Sequence, residues 1–148
     1  MIAPQEEDSK VEHEIASENI ERLTESQLKI IPKKVNYETA TCLCIEENMR
    51  LVKVEDKNTD QMVYNFANKN NLGRYWMDGN DKKETGKWVN NRGCKMTYTN
   101  WQQGEPNNPG VENCLEGARY PKGLWNNIVC GRENAVICYK DDSDDDII

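Results

Sequence analysis

Residues 98–114 read YTNWQQGEPNNPGVENC and form the centre of a longer stretch, 90–123, that is rich in Asn, Gly and Pro. A structureless stretch of this length inside a compact domain is usually either disordered or functional. Trp101 and Cys114 bracket its middle and can anchor it to a core. We therefore interpret the stretch as a functional loop.

The side chains of this loop, and of the segment that follows it, are hard oxygen donors. Ca²⁺ takes such oxygens in a flexible shell of about 6–8 ligands, so five side chains leave positions for water or for two neighbouring hydroxyls of a sugar. The sugar would also hydrogen-bond to the same Glu and Asn groups. A disulfide between Cys114 and Cys130 would draw the donors together. The candidate cage consists of Glu105, Asn107, Glu112, Asn126 and Asn127.

The cysteine content indicates the compartment. Six Cys in 148 residues lack the paired Cys-x-x-Cys clusters of zinc ribbons. Disulfides formed in an oxidising, extracellular environment are the better interpretation. The sequence begins Met1-Ile2-Ala3-Pro4 without an apolar signal core, so we expect a secreted protein whose signal peptide has been removed.

Three function classes are disfavoured by composition. The only histidine, His13, lies in a polar stretch far from every motif, so an enzyme built on Ser-His-Asp, Cys-His or several His is not expected. A net charge of -7 argues against nucleic acid, because phosphate binding needs clustered cations. No apolar run approaches the roughly 20 residues that cross a bilayer, so membrane insertion is not expected either.

Hydrophobic periodicity predicts two helices in a single domain. The first begins near Asn36 and places its small and apolar side chains on one face, and the second covers about 59–69. The residues assigned to the first face are Tyr37, Ala40, Cys44 and Leu51.

Two polar segments flank this domain, which covers residues 28–140. Residues 1–27 have a weak helical spacing that cannot fold alone, so we expect a mobile or loosely docked lead-in, or a short helix used for self-association. Residues 141–148 contain a run of Asp that should stay disordered. Short strands are expected at 28–31, 75–77, 87–89, 114–115 and 135–138, and Pro32 should end the first.

Over residues 28–140 the chain resembles a C-type lectin domain, and its sequence at residues 76–81 is similar to that of small secreted arthropod lectins. The resemblance rests on many motifs in the same order. The matching positions are Tyr37, Ala40, Cys44 and Leu51, Tyr75-Trp76, Asp81, Gly86 and Trp88, Tyr98, Asn100-Trp101, Gly104 to Asn108, Glu112, Cys114, Trp125-Asn126-Asn127, Cys130, and Ala135, Ile137 and Cys138.

The resemblance implies an α+β fold with two helices, two small antiparallel sheets and a long loop that holds one principal Ca²⁺. It implies the disulfides Cys44–Cys138 and Cys114–Cys130, and a cis peptide bond before Pro106. In this family Glu-Pro-Asn accompanies mannose-like sugars and Gln-Pro-Asp accompanies galactose, because the two motifs offer different donors and acceptors. The residues implied to contact sugar as well as ion are Glu105, Asn107, Glu112 and Asn126.

The chain departs from the family at both of its calcium sites. Asn127 stands where sugar binders usually have Asp, so the cage loses a carboxylate. Extracellular modules bind Ca²⁺ at only about 10⁻⁴–10⁻³ M, so we expect weakened rather than abolished binding. The accessory site keeps Asp81, but Thr85, Asn108 and Asn113 stand where acids are usual, and we expect that second site to be empty or weak.

Cys42 and Cys94 are left over from the two implied disulfides. Cys42 is two helical positions before Cys44 and therefore on a different face, pointing away from the core. Either the two pair with each other or one of them links two chains. The protein could therefore form an oligomer, either through a free Cys or through a helix in the N-terminal segment.

The resulting prediction is a non-catalytic, secreted, Ca²⁺-dependent lectin for mannose-type glycans on cell or microbial surfaces. A role in innate immune recognition rests on the resemblance alone. The alternative is a protein-binding module with the same fold, in which Asn127 has abolished useful sugar binding. Calcium-dependent retention on a mannose resin distinguishes the two.

Overall fold

The computed structural model describes residues 23–141. Both predicted helices are confirmed. In chain order the elements are a 3-10 turn (Glu25–Gln27), β1 (Leu28–Val35), α1 (Tyr37–Glu46), β2 (Arg50–Leu51), α2 (Lys57–Lys69), β3 (Tyr75–Asn80), β4 (Cys114–Gly117), a second 3-10 turn (Pro121–Gly123), β5 (Asn126–Ile128) and β6 (Asn134–Tyr139).

The strands form two antiparallel groups, one of β1, β2 and β6 and the other of β3, β4 and β5. Strands β1 and β2 both pair with β6, whereas β4 pairs with β3 on one side and with β5 on the other. The two groups join where Tyr75 of β3 lies beside Ala135 of β6 in a parallel pair. The two predicted sheets are therefore one mixed sheet of order β1-β6-β3-β4-β5, which fixes the loop-bearing strands β4 and β5 to the core.

Side-chain caps define where the helices begin. Asn36 Oδ1 accepts a hydrogen bond from the Thr39 N–H at 2.8 Å, and Asp56 Oδ1 accepts one from the Thr59 N–H at 2.7 Å. Each cap satisfies an N–H group that the first helical turn leaves without a partner. The Asp56 cap places the start of α2 at Lys57, two residues before the predicted start.

Leu51 was wrongly assigned to the first helical face. Helix α1 ends at Glu46, and Asn48 then adopts a left-handed conformation with a φ of 59°, which turns the chain into β2. Leu51 is buried in that strand beside Cys138. It reaches the same core as α1, but from the sheet.

The proposed stop at Pro32 was also wrong. Strand β1 continues through Pro32 to Val35, with a register shift between Ile31 and Val35. Because β1 lies at the edge of the sheet, its proline N needs no partner on the outer side.

The strand predicted at 87–89 is absent from the described part of the chain as a regular element. Val89 alone forms isolated bridges, to Asn80 and to Lys95. The aromatic and β-branched content that suggested a strand instead serves packing, since Trp88 lies against the main core. Conversely, strand β5 was not predicted. Asn126 and Asn127 have a low intrinsic preference for strands, and contacts with the neighbouring strand override that preference.

Two disulfides connect these elements, as the resemblance implied. Cys44 on α1 is bonded to Cys138 on β6, and Cys114 on β4 is bonded to Cys130 after β5. Cys42 and Cys94 are exposed free cysteines in this structure, so they are not paired with each other. A link between two chains through one of them stays a prediction.

The expectations for residues 1–22 and 142–148, a weakly helical lead-in and a disordered acidic tail, lie outside the described residues. Between residues 23 and 141, none of the helices is both long enough and apolar enough to cross a membrane.

Candidate functional site

A buried carboxylate on α2 holds the base of the long loop. The Asp60 side chain accepts hydrogen bonds from Asn100 Nδ2 at 2.9 Å, and from the Tyr98 hydroxyl and Trp125 Nε1 at 3.2 Å each. Burial raises the pKa of Asp60, and these three donors partly oppose the rise. The carboxylate thus fixes both sides of the loop base to the helix.

Trp125 connects the loop to strand β5. Its backbone N–H donates to the Asn100 carbonyl at 2.8 Å, and its backbone carbonyl accepts from the Gln102 backbone N–H at 3.0 Å. Its ring meets the Trp101 ring edge to face, with centroids 6.0 Å apart. Residues 100–102, a few positions before Glu105, are therefore held beside Trp125, which directly precedes Asn126.

Oxygen atoms from the candidate cage converge on the side-chain amide of Asn107. One end of this amide lies 2.9 Å from Glu105 Oε1, 2.6 Å from Glu112 Oε1 and 3.1 Å from Asn127 Oδ1. With Nδ2 at that end, the amide donates to these oxygens. With Oδ1 there, four oxygens face one another, an arrangement that is favourable only around a cation. The bond between Glu105 and Pro106 is cis.

The Asn127 side chain joins two parts of the loop. It is buried, its Nδ2 donates to the carbonyl oxygens of Asn107 at 2.6 Å and Glu112 at 2.7 Å, and its Oδ1 accepts from the Asn107 N–H at 2.9 Å. A carboxylate at this position could not donate to either carbonyl. The amide therefore closes the loop by hydrogen bonds alone, a role that the sequence analysis, which counted only a lost charge, missed.

Asn126 makes its side-chain hydrogen bond to a residue outside the candidate cage. Its buried Nδ2 donates to Glu116 Oε2 at 2.7 Å. Glu116 Oε1 accepts from Asn134 Nδ2 at 2.8 Å, and Arg74 Nη1 lies 3.8 Å from Oε2. The structure thus brings four of the five candidate ligands together and shows the fifth bound to Glu116, so only the Asn126 amide oxygen is left for another ligand.

The other side of Glu105 is shaped by two residues that the sequence analysis did not single out. The Tyr120 hydroxyl donates to Glu105 Oε2 at 2.9 Å, which leaves Oε1 directed at Asn107. The Arg119 guanidinium lies 5.3 Å from the centre of the Tyr120 ring. The pKa of Arg119 is raised by its hydrogen bond with Tyr120 and also by the charges of Tyr120, Glu116 and Glu105. No motif marked these residues, because segment 115–124 contains none of the candidate ligand positions.

A second group of oxygens lies around Asp81. Asp81 Oδ1 and Asn113 Oδ1 are buried and have no hydrogen-bond partner among residues 23–141. The other carboxylate oxygen of Asp81 accepts from the Gly86 N–H at 2.9 Å. Oxygens without donors are compatible with a cation, but a single carboxylate gives little affinity, so the expectation of a weak second site stays a prediction.

The donor chemistry of the cage fits Ca²⁺. Within the described range, no three His, Cys, Asp or Glu side chains converge as a metal site. The cage instead combines the carboxylates of Glu105 and Glu112 with amide oxygens. Such an all-oxygen set suits Ca²⁺ and lacks the nitrogen and sulfur ligands that zinc and copper prefer.

Comparison with known proteins agrees with this fold. Residues 33–140 match the family described as the Lectin C-type domain. The chain is similar to perlucin of Haliotis laevigata, with 31% identity over 113 residues that cover 73% of this chain and 72% of perlucin. It is also similar to the C-type lectin mosGCTL-7 of Aedes aegypti, with 32% identity over 71% of this chain and 77% of that protein.

A solved structure shows the same architecture. The mouse scavenger receptor C-type lectin carbohydrate-recognition domain superposes with a TM-score of 0.67 at 24% identity, over 75% of this chain and 84% of that chain. This likeness shows the fold, and the family match covers both helices, the long loop and both disulfides. The chain therefore belongs to the C-type lectin domain family, whose members are non-enzymatic.

Proposed function

We propose that this chain is a secreted lectin that binds mannose-type sugars through one principal Ca²⁺ held by the five candidate cage residues. The observation that carries the proposal is the gathering of oxygens from Glu105, Glu112 and Asn127 within 2.6–3.1 Å of one end of the Asn107 amide. Carboxylates are not brought this close to amide oxygens at a protein surface without a compensating charge or donor.

Each residue has a separate task in this proposal. Bound Ca²⁺ would supply the positive centre to which two neighbouring sugar hydroxyls coordinate. Glu105 and Glu112 accept hydrogen bonds from those hydroxyls, and the Asn107 amide donates one. Tyr120 holds Glu105 in place, and Asn126 contributes its amide oxygen while Glu116 holds its nitrogen. Because the sugar completes the ligand shell, ion and sugar affinities should rise together.

Sugar preference follows from the Glu-Pro-Asn motif. Changing Glu105→Gln together with Asn107→Asp exchanges an acceptor for a donor at one hydroxyl and a donor for an acceptor at the other. Binding on a glycan array should then move from mannose towards galactose. A native protein that already prefers galactose would contradict the assignment to mannose-type sugars.

Retention on a mannose resin tests the calcium site directly. Glu105→Gln and Glu112→Gln each remove a carboxylate from a cage that has only two, so retention in Ca²⁺ should be lost while the melting temperature in EDTA is kept. Glu133→Gln, at an exposed position outside the cage, is the matched control and should be retained like the native protein. Unchanged retention of either cage variant would refute the site.

A second candidate function is a protein-binding module with the same fold. It is favoured by the contact between Asn126 Nδ2 and Glu116, because one of the two N–H groups of that nitrogen is then no longer available to a sugar. Under this alternative the native protein passes through the mannose resin in both Ca²⁺ and EDTA.

The disulfides support an extracellular location, where Ca²⁺ is plentiful enough for a weak site. We propose glycans on cell or microbial surfaces as the natural partners, with innate immune recognition as the biological setting. Immunoblotting of culture medium and cell lysate after expression of the full-length gene tests secretion.

A further inference from the structure

A cavity of about 490 Å³ lies outside the cage, between the segments 86–89 and 95–101. Its volume falls in the range of about 300–1,000 Å³ that is usual for small-molecule sites. The proposed lectin function does not use it. Its lining includes Lys87, Trp88, Lys95, Met96 and Trp101.

Two tryptophan rings form the apolar wall of this cavity. The rings of Trp88 and Trp101 meet edge to face with centroids 5.0 Å apart, and both side chains are half-buried against the main core. Packing fixes these rings, so they present a preformed surface that a ligand does not have to order. The C–H face of a pyranose ring is flat and apolar, and it complements such an aromatic surface.

The charge at this cavity is opposite to that of the chain as a whole. Residues 82–95 contain five Lys or Arg and one Glu, whereas the whole chain has 19 Lys or Arg and 26 Asp or Glu. Lys87 and Lys95 are exposed at the cavity, and no acidic residue is among its described lining. Lys87 also pairs with Glu84 at 3.1 Å, but both side chains are well exposed, so an incoming anion can replace that contact at little cost.

We propose that this cavity is a calcium-independent saccharide subsite for a sugar ring that carries a sulfate or carboxylate group. The ring packs on Trp88 and Trp101, and the anionic group pairs with Lys87 and Lys95. The subsite extends the proposed lectin function to anionic glycans. It uses none of the cage residues, so it can be tested separately from the calcium site.

The test compares two double lysine variants. Lys87→Ala with Lys95→Ala removes the charges of the cavity, and Lys33→Ala with Lys34→Ala removes two exposed lysines from β1 as the matched control. The native protein and both variants are titrated in EDTA with a sulfated heparin disaccharide and with its non-sulfated counterpart. Calorimetry gives the affinity, and tryptophan fluorescence reports contact with the rings.

The sulfated disaccharide should bind the native protein and the control variant alike, and its affinity for the cavity variant should fall by about tenfold, or about 1.4 kcal/mol. The non-sulfated disaccharide should bind the native protein more weakly. Calcium-dependent retention on mannose resin should stay unchanged in both variants, which separates this subsite from the cage. An equal loss in both variants, or the absence of binding in EDTA, would overturn the proposal.

Discussion

The side-chain nitrogen of Asn127 lies 2.6 Å from the carbonyl oxygen of Asn107. The same nitrogen also donates to the carbonyl of Glu112, so one amide joins the two sides of the loop that carry the carboxylates. This closure is built from hydrogen bonds and needs no ion. The residue that lowers the charge of the calcium site therefore also holds the site in shape when the ion is absent.

Changing Asn127→Asp tests both consequences. The new carboxylate oxygen faces two carbonyls without a hydrogen to share, so the free energy of unfolding in EDTA should fall by about 1–3 kcal/mol. The added charge should tighten Ca²⁺ binding by about tenfold. Thermal melts in EDTA and in Ca²⁺ should show a lower starting Tm and a larger rise on addition of Ca²⁺.

The exposed substitution Asn65→Asp on α2 adds the same charge away from the loop and serves as the control. If Asn127→Asp melts in EDTA at the same temperature as the native protein, the amide does not hold the loop closed.

Removal of the Tyr120 hydroxyl should affect the site more than the fold. Tyr120→Phe keeps the ring beside Arg119 but frees Glu105 Oε2, so Glu105 gains rotational freedom that Ca²⁺ binding must remove. We expect a several-fold weaker calcium-dependent affinity for mannose, equivalent to about 1 kcal/mol, with a melting temperature close to native. Tyr64→Phe on α2 is the control. An equal affinity for Tyr120→Phe and native protein would show that the hydroxyl does not position Glu105.

Glu116 is expected to act on the site through Asn126. Glu116→Gln keeps the size of the side chain but places an NH₂ group against the NH₂ of Asn126 or Asn134, both of which are buried. The unfolding free energy should fall by about 1–3 kcal/mol, and Ca²⁺ affinity should fall as well because Asn126 loses its fixed orientation. Denaturant unfolding and calorimetry measure the two effects. A variant that loses stability but binds Ca²⁺ like the native protein would reduce Glu116 to a structural role.

Local spacing in the sequence predicted the helices and the oxygen-rich loop, whereas both disulfides were implied by the resemblance to the C-type lectin domain. Sequence reasoning failed where tertiary contacts override local preference. Pro32 continues a strand because that strand is at the sheet edge, and the Asn126-Asn127 pair forms a strand because β4 lies beside it. The roles of Glu116 and Tyr120 were also out of reach, since only the folded chain brings them to Asn126 and Glu105.

The pH dependence of stability should carry a signature of Asp78. Burial raises the pKa of this carboxyl to about 6, from an ordinary value of 3.8. A carboxyl with a higher pKa in the folded state holds its proton more tightly there, so its contribution favours the folded protein at low pH and is lost as the pH rises from about 4 to about 6.

Asp78→Asn should remove this loss while it keeps the hydrogen bond from the Asn91 N–H, which is 2.6 Å long in the native protein. Denaturant unfolding at several pH values should show the variant gaining stability relative to the native protein across that window. The exposed substitution Glu55→Gln should show no such gain. Parallel curves for Asp78→Asn and native protein would contradict the assignment.

The central claim is that one Ca²⁺, held by the cage, and a mannose-type sugar bind as a unit. Calorimetric titration of the native protein with Ca²⁺, first alone and then with saturating mannose, measures this coupling directly. We predict a dissociation constant of about 10⁻⁴–10⁻³ M for Ca²⁺ alone and a lower one with mannose, because each ligand must raise the affinity of the other by the same factor. A Ca²⁺ affinity that mannose leaves unchanged, or mannose binding of equal strength in EDTA, would contradict the account.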